Sequence, residues 1–188
     1  MSYKAVVIGA SAGGFHALRK LISKLPKEFS MPVFIVQHLS PVSDNYMAKF
    51  INKLSKLNVK EADEKEKIGS GTVYISPPNY HMLIEEDLTI ALSTEEKKNY
   101  SRPSIDILFE TAAYAYGSKL IGIVLTGANN DGADGLLKIK NAGGYCIVQE
   151  PSEAEAPAMP LAAIKKAKPS KVLKLTEIAN LLIELDNK

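Results

Sequence analysis

A serine, an imidazole and a carboxylate together can carry out acyl transfer, and the sequence places one of each just beyond a short apolar run. Ser11 follows Val6-Val7-Ile8-Gly9-Ala10, His38 follows Val33-Phe34-Ile35-Val36-Gln37, and Asp131 lies a few residues past Leu120-Ile121-Gly122-Ile123-Val124-Leu125. In such a set the imidazole takes the hydroxyl proton, and the carboxylate fixes the imidazole's tautomer and steadies its charge. The chain order Ser, His, Asp differs from the Ser, Asp, His order of α/β-hydrolases, so a triad here would be a separate solution. Ser11 also lies in a Gly-x-Ser-x-Gly frame, Gly9-Ala10-Ser11-Ala12-Gly13. Glycine on both sides lets a strand and a helix approach closely while the serine stays exposed. A helix starting beside Ser11 would offer free N–H groups and a positive end to developing negative charge.

Each of these residues has a plainer reading. A Gly-rich turn also serves as a phosphate cradle or a packing device. His38 can cap a strand end, and Asp131 can be a turn or N-cap residue of the following helix. Asp134 is a rival carboxylate, although the pattern puts it inside that helix; His16 and His81 are rival bases. A Rossmann-like dinucleotide-binding protein could use the same turn, but Ser11 stands where the second fingerprint glycine belongs. The second strand also ends in His38, where an acidic residue would hold a ribose. From the residues alone these alternatives stay open, as does a non-catalytic scaffold of the same fold.

The elements that must position the three groups follow from hydrophobic spacing. Phe15, Leu18, Leu21, Ile22 and Leu25 predict a helix directly after Ser11. Pro26 marks the connection that follows. After the second strand comes a loop with Pro41 and Asp44, then a helix with Tyr46, Met47, Phe50, Ile51 and Leu54 on one face. Two buried strands, each followed by a helix, predict a parallel sheet with helices on both faces. Residues 58–93 carry short alternating patterns, read as an antiparallel excursion on the sheet edge with Glu85-Glu86-Asp87 as a hairpin turn. Residues 95–101 are charged and are expected to be mobile.

The βα rhythm resumes with a helix from Pro103 or Ser104 carrying Ile105, Leu108, Phe109, Ala112 and Tyr116. The run Leu120–Leu125, a turn through Asp131, a helix stopped by Gly143-Gly144, and the strand Tyr145–Val148 follow. The rest reads as a Pro-rich loop, a short helix near residues 161–166, a strand at Val172-Leu173, and a last helix capped by Thr176. The fold class is therefore α/β: doubly wound, mostly parallel, with an antiparallel hairpin excursion at one edge, in a single domain over residues 1–188. In open sheets of this class, binding groups gather beyond the carboxyl ends of the strands.

Composition removes several function classes. With 188 residues, 46% hydrophobic and 23% charged, and a net charge of +2, the chain has an ordinary soluble composition. Arg19 and Arg102 are its only arginines, and no basic run is interleaved with aromatics, so nucleic acid is not an expected partner. The single cysteine, Cys146, excludes an internal disulfide and a thiolate metal site; its apolar run marks it as a buried strand residue. No apolar run reaches transmembrane length, and the N-terminus enters a strand without a signal peptide. A cytoplasmic location, no membrane insertion and a monomer are the expectations.

Six separated motifs, in order, resemble those of the chemotaxis protein-glutamate methylesterases, the CheB catalytic domain. They are Gly9-Ala10-Ser11-Ala12-Gly13-Gly14, Gln37-His38, Tyr74-Ile75-Ser76-Pro77-Pro78-Asn79-Tyr80-His81 and Arg102-Pro103-Ser104-Ile105-Asp106-Ile107-Leu108-Phe109. The fifth joins Leu125-Thr126-Gly127 to Asp131-Gly132-Ala133, and the sixth joins Gln149-Glu150 to Ala158-Met159-Pro160. The resemblance implies a serine hydrolase that demethylates glutamyl methyl esters on chemoreceptor helices and, in many members, deamidates receptor glutamines. It places the family's nucleophile on Ser11, its histidine on His38 and its aspartate on Asp131. It implies backbone N–H groups of Ala12 and Ala128 at the oxyanion, and neither metal nor organic cofactor.

Two departures stand out. The family's full-length regulators carry an N-terminal receiver domain, whereas this chain opens on the catalytic strand; control by a separate response-regulator or methyltransferase partner is the matching expectation. The family often reads Leu-Thr-Gly-Met-Gly where Leu125-Thr126-Gly127-Ala128-Asn129 stands here. Ala128 keeps the backbone N–H and loses the side-chain bulk that helps line the oxyanion site.

Overall fold

Uninterrupted apolar runs make strands buried on both faces, and three of them form the centre of the sheet. These are β1 (Ala5–Ala10), β2 (Val33–Gln37) and β7 (Leu120–Val124), each buried along its length. The computed structural model describes residues 2–40 and 44–187. Pro41, expected in the loop after β2, lies outside them. Flanking these strands are β3 (Asn58–Glu61) and β4 (Thr72–Ile75) on one side, β8 (Tyr145–Gln149) and β9 (Lys171–Leu173) on the other. The order is β3-β4-β2-β1-β7-β8-β9, and every neighbouring pair is parallel.

Alternate residues of β1 enter opposite layers. Val6, Ile8 and Ala10 pack under α1 (Gly14–Ile22), α2 (Tyr46–Leu54) and α6 (Leu175–Asp186). Ala5 and Val7 pack under α3 (Ile105–Tyr116), α4 (Ala133–Asn141) and α5 (Ala158–Ala167). The fold is thus the doubly wound α/β sheet that the strand–helix rhythm predicts. Cys146 is fully buried in β8, and burial pushes its thiol up to about 12.

The reading of residues 58–93 as one antiparallel excursion is corrected. Of the four strands in this region, β5 (His81–Ile84) and β6 (Ile90–Ser93) pair antiparallel, as a separate two-stranded sheet turning at Glu85–Asp87. Met82, Ile84 and Ile90 of this hairpin join the core layer of α3. The other two strands, β3 and β4, extend the main sheet in parallel. Alternation reports that one face of a strand is exposed, and the edge strand β3 meets that condition in either direction. The expected cap at Thr176 also moves: α6 starts at Leu175, with Lys174 before it donating its backbone N–H to the Glu177 carboxylate at 2.9 Å.

Strand order switches between β1 and β7: the chain passes from β1 to β2 on one side and comes back, after the hairpin and α3, to β7 on the other. A crevice opens beyond the carboxyl ends at such a point. The first residue of α3 closes it from one side: a Cβ built on Gly9 of β1 would run into the Ile105 side chain, and one on Gly132 would lie 2.7 Å from Ile105 Cγ2. Gly9→Ala is expected to lower unfolding stability by about 1–3 kcal/mol through this overpacking, measured by denaturant titration.

Candidate active site

Register brings the first two groups together. Ala10 of β1 is paired with Gln37 of β2, so Ser11 and His38 are the next residues out on adjacent strands. The His38 N–H donates to the Ala10 carbonyl at 3.1 Å, and the Ser11 N–H donates to the Thr126 carbonyl at 2.9 Å. The Gln37 amide donates to the Ser11 and His38 carbonyls at 2.9 and 3.0 Å, clamping the two strand ends. Gly13, with φ of 76°, turns the chain into α1 in the left-handed conformation that glycine adopts at little cost.

His38 lies between the other two side chains. Its Nδ1 is 3.2 Å from Ser11 Oγ, and its Nε2 is 2.9 Å from Asp131 Oδ2. The carboxylate accepts, so Nε2 bears the proton and Nδ1 presents its lone pair to the serine. The ring nitrogens thus exchange the roles they hold in the chymotrypsin-type template, where Nε2 faces the serine. The three residues singled out in the sequence are in one hydrogen-bonded line. Asp134 is not in it: it is exposed on α4 and paired with Lys166 at 2.7 Å. His16 is exposed on α1.

Asp131 is fully buried and held by more than the histidine. Its Oδ2 also accepts the Ile105 N–H at 2.7 Å. Its Oδ1 accepts from Ser104 Oγ at 3.0 Å and from the N–H groups of Asp106 and Gly132 at 3.1 Å each. The carboxylate that precedes α4 therefore caps the N-terminus of α3. Asp106, in the first turn of α3, does the reverse: its Oδ1 accepts from Gly132 and Gly135, at the start of α4, at 3.0 and 2.6 Å. Asn99 donates to both acids, at 2.8 Å to Asp106 and 3.1 Å to Asp131. Burial pulls the Asp131 carboxyl upward, but the hydrogen bonds from His38, the Ile105 N–H and Asn99 outweigh it and hold it below the ordinary aspartate value. For Asp106 burial prevails, helped by the neighbouring Asp131 charge, and the shift is upward.

His81, a rival base in the sequence, has another task. Fully buried, it accepts the Ser104 N–H on Nδ1 at 3.1 Å and meets the Glu96 carbonyl with Nε2, also at 3.1 Å. It braces the start of α3 and ties down residues 95–101. That segment, expected to be mobile, is also held by Asn99 and by Arg102, whose guanidinium donates to the Glu95 carbonyl at 2.8 Å and to Asn79. Burial, with the nearby Arg102 charge, takes His81 below its ordinary 6.5 against the pull of the Glu96 carbonyl. The folded state then binds this proton more weakly than the unfolded chain, so stability is lost as pH falls below about 6.5. Melting temperature is expected to decline between about pH 7 and about pH 5, with a flatter profile in His81→Gln, followed by circular dichroism.

A cleft of about 120 Å³ opens beside His38, lined by Leu39, Lys97, Tyr100 and Pro103. A larger cavity of about 320 Å³, between Tyr3, Ser30 and Tyr116, is not lined by any residue of the Ser11–His38–Asp131 line. Ala12, next to Ser11, and Ala128, in the turn after β7, are exposed, and their N–H groups make no hydrogen bond among the described residues. Neighbouring groups are engaged: Gly127 donates to the Ala156 carbonyl at 2.9 Å, and Thr126 Oγ1 donates to the Ala12 carbonyl at 2.8 Å. In the sequence Ser104 marks no more than a helix start, Asp106 only belongs to a motif, and Asn99 lies in a charged segment. Their partners are remote in sequence, and the only local signal was polar residues at the start of an apolar helix. A hydroxyl, a base with a fixed tautomer, a buried carboxylate and free N–H groups form a set suited to attack on a carbonyl carbon. Among the described residues no helix is long and apolar enough to cross a membrane.

Comparisons with known proteins point the same way. The family model described as CheB methylesterase matches residues 6–182. A Leptospira interrogans protein named for protein-glutamate methylesterase and protein-glutamine glutaminase activities is 52% identical over 99% of this chain and 96% of its own length. A Methanosarcina acetivorans protein named for the same pair is 41% identical over 96% of this chain; this chain covers 52% of that relative. Among solved structures, the Thermotoga maritima CheB methylesterase catalytic domain matches with a TM-score of 0.93 at 36% identity, over 98% of this chain and all of that one.

Proposed function

The chain belongs to the CheB methylesterase family, and from that premise we propose that Ser11, His38 and Asp131 form the triad of a protein-glutamate methylesterase. The observation that carries the proposal is His38 joined to Ser11 through one ring nitrogen and to Asp131 through the other. Residues 1–188 act as one catalytic domain. The substrates are protein glutamyl methyl esters and protein glutamines, as the relatives' names suggest, and we place them on the cytoplasmic helices of chemoreceptors. The protein works in the cytoplasm as a monomer.

In the proposed mechanism His38 Nδ1 takes the Ser11 proton as Oγ attacks the ester carbonyl. Asp131 holds the ring through Nε2–H and balances the imidazolium charge. The backbone N–H groups of Ala12 and Ala128 meet the oxyanion; a donor of this kind is worth about 3–4 kcal/mol of barrier. Methanol departs with the proton from Nδ1, and water, activated by the same nitrogen, frees the glutamate. The chemistry needs no metal or organic cofactor. The test is release of labelled methanol from methylated receptor membranes by the wild-type protein, with Ser11→Ala alongside. Turnover in the wild type alone supports the reading, and equal turnover in both removes Ser11 as the nucleophile.

A further inference from the structure

One polar group at the reaction centre is left without a role by the triad. Asn129, in the turn that leads to Asp131, brings a side-chain amide up to the His38 ring. Its orientation follows from its partners. Oδ1 accepts the Asp131 backbone N–H at 3.1 Å, so the end that faces His38 is Nδ2, 3.3 Å from Nδ1. Because Nε2 is occupied by Asp131, Nδ1 is the unprotonated nitrogen and has a single lone pair. That lone pair has two donors: the Ser11 hydroxyl at 3.2 Å and the Asn129 amide at 3.3 Å.

Only the serine can give up its proton. Once it has done so, Nδ1–H no longer accepts, and the Asn129 N–H faces another N–H. The amide loses its acceptor in the same step that puts a full negative charge on the substrate oxygen, bonded to the carbon that Oγ has just attacked. We infer that the Asn129 side-chain amide is a further catalytic donor, shared with His38 Nδ1 in the resting site and turned to the tetrahedral oxyanion when that nitrogen is protonated. The inference rests on the reading of Ser11 as nucleophile.

The step balances. The Oγ–H bond breaks and the Oγ–C bond forms, the proton goes to Nδ1, and the carbonyl π pair moves to oxygen. Collapse returns that pair, and the departing methoxide takes the proton from Nδ1. Asn129 follows Ala128 directly, so one turn supplies a side-chain donor beside a backbone donor. A bond gained only after attack strengthens from ground state to transition state, so it acts on kcat and leaves KM little changed.

The other possible duty of Asn129 is to cap the Asp131 N–H, and the experiment separates the two. Asn129→Ser keeps a hydroxyl acceptor for that N–H but has no amide to reach Nδ1; Asn129→Gly removes both. Methyl-ester turnover on methylated receptor membranes is measured for both variants, the wild type and Ser11→Ala, with melting temperatures. The expected result is a kcat lowered by about 10²-fold in both variants, with KM little changed and the serine variant melting like the wild type. Wild-type kcat in Asn129→Ser overturns the inference, whether or not the glycine variant is impaired; so does a raised KM at unchanged kcat. If Asn129→Ser melts early, the glycine variant decides by the same split of kcat from KM. A wild-type protein without turnover removes the triad reading and this inference together. An active wild type with an inert Ser11→Ala and fully active Asn129 variants removes this inference alone.

Discussion

Replacing Ser11 by alanine is expected to lower methyl-ester turnover by about 10⁶-fold, to the level left by binding and oxyanion stabilisation alone. Receptor binding and the fold should be unchanged. The structural reason is that the Ser11 backbone carries the architecture while the hydroxyl does not. Its N–H and carbonyl are bonded to Thr126, Gly14 and Gln37, and these bonds survive in alanine. The hydroxyl's partner is His38, at 3.2 Å. Melting temperature by circular dichroism should match the wild type, the shift in stability staying within about 0.5 kcal/mol. An unfolded variant would mean that the hydroxyl holds the turn together; a folded, active one would exclude serine attack.

Asp131→Asn should be costly in two ways. Turnover is expected to fall by about 10⁴-fold, because an amide can no longer demand a protonated Nε2 and leave the Nδ1 lone pair to the serine. Stability should fall as well, by about 1–3 kcal/mol, through one buried donor aimed at other donors. Both oxygens of Asp131 face N–H or O–H groups: His38 and Ile105 on one, Ser104, Asp106, Gly132 and Asn99 on the other. Whichever end carries the NH₂ therefore opposes a donor. Kinetics on methylated membranes and a urea titration read the two effects separately. Asp134→Asn is the control: exposed and paired with Lys166, it should leave turnover unaltered. A large loss there with Asp131→Asn unaffected would transfer the role to Asp134.

The positions of Ser11 and His38 were legible in the sequence because apolar runs end abruptly at polar groups, and parallel register puts those ends side by side. Asp131 was legible only as one of two candidates: the chain after β7 offers acids at 131, in the turn, and at 134, in α4, and the choice depends on which one lies under the start of α3. The directions of β3 and β4 were not legible, since a half-exposed strand alternates in the same way whichever way its neighbour runs. Nor were the tasks of Asp106, Asn99 and His81. Each acts on a backbone group or acid brought near by helix docking, and nothing in the local pattern of residues 95–106 encodes that. The same charge pattern that suggested a mobile segment supplies the carbonyls and the amide that fix it.

The exchange of acidic caps between α3 and α4 bears on when the protein can act. Neither helix start is satisfied until the other has arrived, since Asp131 serves the first and Asp106 the second. A nascent or half-melted chain can hold Ser11 and His38 on adjoining strands and still lack an anion to set the imidazole. In the proposed mechanism ester cleavage is therefore an all-or-none property of the finished molecule, and immature chains in the cell would leave the signalling marks on its receptors untouched.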